Sequence, residues 1–123
     1  MSGTKFIAAT PVLASLDINR STEFFASKLG FKKIHDEQGV YGIVGIGEVR
    51  VHFWACNDKI YPEATSCRIQ VEGIDALYQQ CQEHGIVHPK GQLELQSWGS
   101  MEFSILDLDG NLVTFHEQKE VND

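Results

Sequence analysis

Apolar and polar positions in the first half of the chain predict one strand, one helix and then three more strands. Residues 6–16 have the apolar content of a strand, and Pro11 within them suits an edge strand or a strand that crosses to another subunit. Asp17 is a helix-capping residue type, and Gly30 is the type that ends a helix in the left-handed conformation. An amphipathic helix is therefore predicted over residues 20–29, and strands over residues 31–34, 40–45 and 48–56.

A polar linker over residues 57–64 precedes a second segment with the same order of elements. This segment has a predicted strand over residues 65–71 and a predicted helix over residues 74–84, which Gly85 ends. Because a module of roughly 60 residues buries little apolar surface alone, packing between two such modules must supply the core. The remaining strands of the second segment are predicted over residues 86–88, 101–106 and 112–115. The chain is thus predicted to be an α+β protein of two tandem βαβββ modules, over about residues 6–60 and 65–118, in a single domain of residues 1–123.

The final hairpin has the clearest turn signal in the chain. Residues 107–111 read Asp-Leu-Asp-Gly-Asn, and Asp-Gly between apolar runs is typical of a tight β-turn. Turn chemistry accounts for Asp107 and Asp109 without acid–base catalysis. Before the hairpin, the pair Trp98-Gly99 places a large aromatic side chain outside the strand pattern. We interpret Trp98 as a ligand contact, with packing at a subunit interface as the alternative.

Composition narrows the classes of partner. The net charge is −7, from 17 acidic and 10 basic residues. An acidic chain is a poor match for nucleic acid, which selects basic surfaces. No apolar run approaches the roughly 18 residues of a membrane span, and the N-terminus lacks a signal-peptide pattern. A soluble, cytoplasmic protein without membrane or nucleic-acid partners is therefore expected.

Several short motifs, spread over residues 8–118, resemble one known superfamily. Its members are the vicinal oxygen chelate proteins, which include glyoxalases, extradiol dioxygenases and bleomycin resistance proteins, and the similarity is closest to the last group. Tandem βαβββ modules are common to the superfamily, and the Trp-Gly pair before the last hairpin is the more specific mark. The motifs are Pro11-Val12-Leu13, Glu23-Phe24-Phe25, Leu29-Gly30-Phe31, Trp98-Gly99 and Asp109-Gly110-Asn111 with Phe115.

The resemblance implies a homodimer in which each module forms a half-open β-cup. Bleomycin resistance proteins bind bleomycin-type antibiotics in grooves at the dimer interface, and they protect by sequestration without chemistry on the drug. The ligand implied is cationic with a flat aromatic part, which favours aromatic faces and nearby carboxylates. The acidic charge and two tryptophans of this chain are compatible with that ligand.

The enzymes of the superfamily imply a different possibility, a divalent metal held by four cup-facing positions. These positions align with Thr10, His52, Ser66 and Thr114, and only His52 has a side chain that binds such metals well. We therefore predict no metal, no cofactor and no catalytic residue. The alternative is a metal-dependent glyoxalase- or dioxygenase-type enzyme that uses His52, with His116 brought near it by a change of strand register. A third possibility is a structural or regulatory dimer with a vestigial cup.

Strand alternation and the resemblance together select the candidate ligand-binding residues. Alternation along residues 49–54 directs His52 and Trp54 to the cup, although Trp54 also suits a core position. Val40 aligns with a stacking aromatic of some family members, and Tyr41 is its neighbour. Arg68 is unfavourable for a cationic ligand unless Glu102 or a neighbouring residue neutralises it, so an anionic or neutral aromatic ligand is also considered. The candidate set is Trp98, Gly99, Trp54, His52, Val40, Tyr41, Ser66, Arg68, Glu102 and Thr114.

Overall fold

A computed structural model describes residues 3–119 and contains two four-stranded mixed sheets. In the first sheet the strand order is β1-β4-β3-β2, with β1 parallel to β4 and the other pairs antiparallel. Helix α1 follows β1, as expected for a βαβββ module. The elements are β1 (Val12–Ser15), α1 (Ile18–Leu29), β2 (Lys32–Glu37), β3 (Tyr41–Ile46) and β4 (Val49–Ala55).

The second sheet repeats this topology. Its strand order is β5-β8-β7-β6, again with the first two strands parallel and the other pairs antiparallel. The predicted α+β class and the two βαβββ modules are therefore confirmed. A short helix, α2 (Ile60–Glu63), lies in the linker, and the second module consists of β5 (Ser66–Gln70), α3 (Ile74–Glu83), β6 (Glu94–Leu95), β7 (Ser100–Leu106) and β8 (Leu112–Gln118).

Helix α1 forms where capping signals and an apolar stripe coincide. The Asp17 side chain accepts a hydrogen bond from the backbone N–H of Arg20 at 3.1 Å, and Gly30 ends the helix with φ +80°. On the buried face, the ring of Phe25 packs edge-on against Phe31 and Phe53, with centroids 5.3 and 5.2 Å apart. The helix thus covers one face of the first sheet and leaves the opposite, concave face uncovered.

Helix α3 begins in another way, because Gly73 precedes it and has no side chain to cap it. The carboxylate of Glu117 on β8 accepts from the backbone N–H of Ile74 at 3.0 Å. This bond lowers the pKa of Glu117, since an N–H donor at a helix start stabilises the charged form. The last strand therefore fixes the start of the helix that packs on its own sheet.

The apolar core includes residues of both modules. Val51 and Phe53 of β4 are fully buried, as the alternation of that strand predicted, and Val113 and Phe115 of β8 hold the corresponding positions. The two main helices meet where the side-chain amide of Gln80 donates to the carbonyl of Lys28 at 2.9 Å. Contact between modules therefore supplies the core, which neither module could provide alone.

Three predictions about local structure are wrong. The first strand is much shorter than residues 6–16, because within that range only Val12–Ser15 forms a strand, β1, which pairs with β4, and residues 3–11 precede it. Thr10 consequently lies outside β1, and the residue that pairs with His52 is Val12. The predicted strand over residues 86–88 is a single bridge from Val87 to Ile105, because the edge of the sheet is taken by β6.

The final hairpin is confirmed, but turn chemistry explains only one of its two aspartates. Asp107 Oδ1 accepts from the backbone N–H groups of residues 109, 110 and 111 at 2.9–3.0 Å, which closes the turn. Asp109 instead reaches the first module, where it accepts from the N–H of Leu16 at 3.0 Å and from the guanidinium of Arg20 at 2.7 Å. The interpretation of Asp109 as a turn residue alone is therefore wrong. Its side chain joins the two modules.

Among residues 3–119, no helix is both long enough and apolar enough to cross a membrane.

Candidate ligand-binding site

The concave face of the second sheet carries a polar cavity of about 290 Å³. Three of the candidate residues line it, namely Arg68 on β5, Glu102 on β7 and Thr114 on β8. Strand alternation places them on the same face, and the register sets Thr114 beside Arg68. The other lining residues are Phe103 and Ser104 of β7 and the segment over residues 89–96, which includes β6, so the whole lining comes from the second module.

Arg68, Glu102 and Trp98 form one hydrogen-bonded group. The guanidinium of Arg68 donates to both carboxylate oxygens of Glu102, at 3.2 Å to Oε1 and 2.6 Å to Oε2. The indole Nε1–H of Trp98 donates to Glu102 Oε2 at 3.3 Å. Glu102 is only 7% exposed, whereas Arg68 is half-exposed and Trp98 is 63% exposed. The buried carboxylate therefore holds two exposed side chains in place.

This arrangement sets the charge of Glu102. The hydrogen bonds from Arg68 lower the pKa of the Glu102 carboxyl, and the Trp98 N–H acts in the same direction, against the opposing effect of burial. The same pairing raises the pKa of Arg68. At neutral pH the pair is ionised and has no net charge. The sequence suggested Glu102 or a neighbouring residue as the group that neutralises Arg68, and in the structure Glu102 pairs with it.

Trp98 lies at the tip of the β6–β7 turn. Gly99 donates its N–H to the carbonyl of Gln96 at 3.0 Å, and Gln96 donates to the carbonyl of Ser100 at 2.8 Å. Gly99 has φ +90°, which residues with a side chain disfavour. An added Cβ would lie 3.0 Å from the side-chain Nε2 of Gln118. Gly99 therefore supports the turn that presents Trp98.

The floor of the cavity carries a pair of hydroxyl groups. Ser104 and Thr114 lie opposite each other in the β7–β8 register, and their oxygens are 2.8 Å apart. Sequence analysis identified Thr114 and missed Ser104, although the alternation of β7 puts Ser104 on the same face as Glu102. Ser66, another candidate, is exposed near the start of β5, on the same face as Arg68.

One wall of the cavity is backbone, which sequence analysis did not anticipate. His88 donates its N–H to the Ser104 carbonyl at 2.9 Å, and Ser104 donates its own N–H to the Gly91 carbonyl at 2.9 Å. Gly91 packs so closely that an added Cβ would lie 2.8 Å from the Ser104 Cβ. Gly91 follows a turn at Pro89 and Lys90, and a glycine at that position was the sequence feature that could have indicated this close approach.

The other candidate residues lie on the first sheet. The Tyr41 hydroxyl and His52 Nδ1 are 2.9 Å apart, with the two rings edge-on. Trp54 is opposite Tyr41 in the register and packs edge-on against Tyr61 of α2, with centroids 5.3 Å apart. Trp54 is 38% exposed, so it is a surface residue and not a core one. Val40 is exposed in the turn before β3.

Within one chain the candidates therefore form two groups on two sheets. His52, Trp54, Val40 and Tyr41 belong to the first, and the cavity beside Arg68 to the second. His116 pairs with Gln70 and Glu102 in the second sheet, whereas His52 lies in the first. In residues 3–119, no three His, Cys, Asp or Glu side chains are close enough to hold a metal ion together.

Comparison with known proteins gives this architecture a family. The family model described as Glyoxalase/Bleomycin resistance protein/Dioxygenase superfamily matches residues 9–115. The chain belongs to this superfamily. The resemblance predicted from the sequence motifs is thereby confirmed.

Individual members of the superfamily align over nearly the whole chain. A bleomycin resistance protein of Geobacillus stearothermophilus is 36% identical, and the alignment covers 91% of this chain and 97% of that protein. Among solved structures, a bleomycin-binding protein of Streptomyces verticillus complexed with copper(II)-bleomycin superposes with a TM-score of 0.82 at 27% identity, covering 96% of this chain and all of that one. A bleomycin resistance determinant encoded on transposon Tn5 superposes with a TM-score of 0.80 at 25% identity, covering 94% of this chain and all of that one.

Proposed function

We propose that this protein binds and sequesters a bleomycin-type or other planar aromatic antibiotic without a metal ion of its own. Similarity to proteins named for bleomycin resistance and bleomycin binding supports the ligand class. The observation that carries the proposal is the indole of Trp98, which is exposed and yet hydrogen-bonded to the buried Glu102. A large aromatic side chain that is exposed to solvent and oriented by a hydrogen bond is pre-organised to stack on a flat ligand.

The chemistry of the cavity favours binding over catalysis. Its polar groups are the Arg68–Glu102 ion pair and the Ser104–Thr114 hydroxyl pair, and the two members of each pair are hydrogen-bonded to each other. Such groups can orient a ligand through further hydrogen bonds, but none is positioned to act on a substrate as a nucleophile activated by a neighbouring base.

We further propose that the complete site forms between two copies of the chain. The aromatic candidates Tyr41 and Trp54 are on the first sheet and Trp98 is beside the second, so each sheet offers one half of a two-sided groove. Residues 3–10 are exposed, with Phe6 93% and Ile7 80% exposed. Apolar side chains this exposed favour burial against another protein surface, and a second copy is the partner that the family resemblance suggests.

Titration with metal-free bleomycin, followed by calorimetry and tryptophan fluorescence, tests the ligand. We expect saturable binding by the parent protein and a loss of about 30-fold or more for Trp98→Ala, as for removal of a central aromatic contact. Leu108→Ala, which shortens another exposed apolar side chain in the hairpin turn, is the control and should bind like the parent. Absence of binding by the parent protein would reject the proposal.

Sedimentation equilibrium tests the dimer. The full chain should sediment as a dimer, and a variant that lacks residues 1–8 should shift toward monomer and lose affinity for bleomycin. Phe6→Ser with Ile7→Ser is the conservative version, since it keeps the chain length. A monomeric parent that binds bleomycin with full affinity would place the whole site within one chain.

A further inference from the structure

The lone pairs of Glu102 are already directed at donors of its own chain. Arg68 donates end-on, from Nη1 to Oε1 and from Nη2 to Oε2, and Trp98 also donates to Oε2. A bidentate guanidinium–carboxylate pair is among the strongest charged contacts in proteins, and here its acidic partner is almost fully buried. A cationic group of a ligand therefore finds no free carboxylate at this position.

The other charged groups around this pair are more exposed to solvent than Glu102, so Glu102 has the larger effect on the charge that a ligand meets. The neighbours of Glu102 in the β-sheet register are Glu94 on β6 and His116 on β8, and Lys90 lines the same cavity from the loop before β6. Glu94 and Lys90 are exposed, so solvent screens them. Glu102 is buried and poorly screened, so its charge acts more strongly on a ligand in the cavity.

We propose that Glu102 is the residue that determines the charge class of the ligand, and that it positions Trp98 for stacking. The inference rests on the proposed function, since it concerns the same cavity. With Glu102 ionised and paired, this part of the site is neutral and accepts the uncharged planar part of a ligand. A cationic part of the same ligand is directed away from the Arg68–Glu102 pair.

Removing the charge of Glu102 and removing the charge of Arg68 should shift the preference for ligand charge in opposite directions. Glu102→Gln keeps a carbonyl oxygen that can accept from Trp98, but it leaves the cation of Arg68 without its partner, so anionic planar compounds should gain. Arg68→Gln leaves a buried carboxylate that faces the cavity, so cationic planar compounds should gain. The double variant removes both charges and should return to the preference of the parent.

Calorimetric titration with two planar probes of opposite charge tests this, using proflavine as the cation and anthraquinone-2-sulfonate as the anion. We expect the ratio of cation to anion affinity to fall ~10-fold in Glu102→Gln and to rise ~10-fold in Arg68→Gln, as for one unit charge within a few ångströms in a partly wet site. The ratio in the double variant should lie near that of the parent. Thermal melts of each variant establish that it is folded.

Each result decides. A parallel loss of affinity for both probes in the single variants would mean that the pair has only a structural role, and the inference would be wrong. Failure of the parent to bind either probe would also overturn it. Bleomycin titrated in parallel separates the two proposals: binding of bleomycin with unshifted probe ratios removes the inference alone, and shifted ratios without bleomycin binding remove the antibiotic assignment alone.

Discussion

The side-chain amide of Asn111 pairs with the backbone of Ala14 as a neighbouring strand would. Its Nδ2 donates to the Ala14 carbonyl at 2.8 Å, and its Oδ1 accepts from the Ala14 N–H at 3.2 Å. The two residues are 97 positions apart, and both are fully buried. A turn residue of the second module thus satisfies backbone groups of β1, a strand of the first module. Together with Asp109, it makes the final hairpin a buried polar connection between the modules.

Asn111→Ala should therefore destabilise the protein strongly. It leaves the N–H and carbonyl of Ala14 buried without partners and removes a third bond, from Nδ2 to Asp107 Oδ2 at 2.7 Å. We expect a loss of about 2–4 kcal/mol in the free energy of unfolding, because unpaired buried polar groups keep their full desolvation cost. Urea denaturation measures it. Asn57→Ala, at an exposed asparagine, is the control, and equal stability of the two variants would show that the inter-module bonds contribute nothing.

The Arg68–Glu102 pair should make stability depend on pH in acid. The pKa of Glu102 is lowered in the folded protein, so its contribution is complete above the ordinary value of 4.5 and is lost as the pH falls through the lowered value. At pH 7 we expect Glu102→Gln to cost about 1–2 kcal/mol relative to the parent. At pH 3 the difference between the two proteins should narrow, because a protonated glutamate resembles glutamine. A constant difference across this range would assign the cost to packing.

Gly91→Ala should disturb both stability and ligand binding. The new methyl group would meet the Ser104 Cβ at 2.8 Å and the Ser104 backbone nitrogen at 3.2 Å, and backbone cannot yield as a flexible side chain can. We expect a loss of about 1–3 kcal/mol, as for other overpacked positions, together with weaker bleomycin binding. Gly3→Ala is the matched control, since an added Cβ there meets nothing within 4 Å. Differential scanning calorimetry and titration give the two readouts.

Metal independence can be tested directly. Protein purified without chelators should contain metal well below one equivalent by elemental analysis, and prior treatment with EDTA should leave its affinity for metal-free bleomycin unchanged. The expectation follows from the donor set, in which His52 is the single strong ligand among the aligned positions. Stoichiometric zinc, nickel or iron, lost together with binding on chelation, would instead favour the enzyme alternative.

Sequence patterns predicted the elements whose signals are local. Helix α1 has its cap, apolar stripe and terminal glycine within residues 17–30, and the last hairpin has its turn signal within five residues. The extent of the first strand was overestimated, because apolar content alone cannot distinguish a paired strand from an extended segment. The bridge at Val87 was mistaken for a strand for the same reason, since pairing partners far along the chain decide which segment occupies a sheet edge.

Strand alternation and charge pairing predicted part of the candidate site. The period of two placed Arg68 and Thr114 on one face, and charge reasoning paired Arg68 with Glu102. The backbone wall at Gly91 and the cap from Glu117 to α3 could not be predicted, because they depend on contacts across the folded chain. The contact of the Asp109 side chain with the other module could not be predicted either. An aspartate in a turn is already explained by the turn, so nothing in the sequence pointed to a distant partner.

The wall at Gly91 also limits how this protein can change over time. Main-chain atoms are the same for every residue type, so substitutions can neither widen that side of the cavity nor alter its polarity, and the one position where a side chain could be added is closed by Ser104. Variants that bind a different ligand should therefore carry their changes at the side chains that line the cavity, at Gln92, Glu94 and Gln96, and at the Arg68–Glu102 pair.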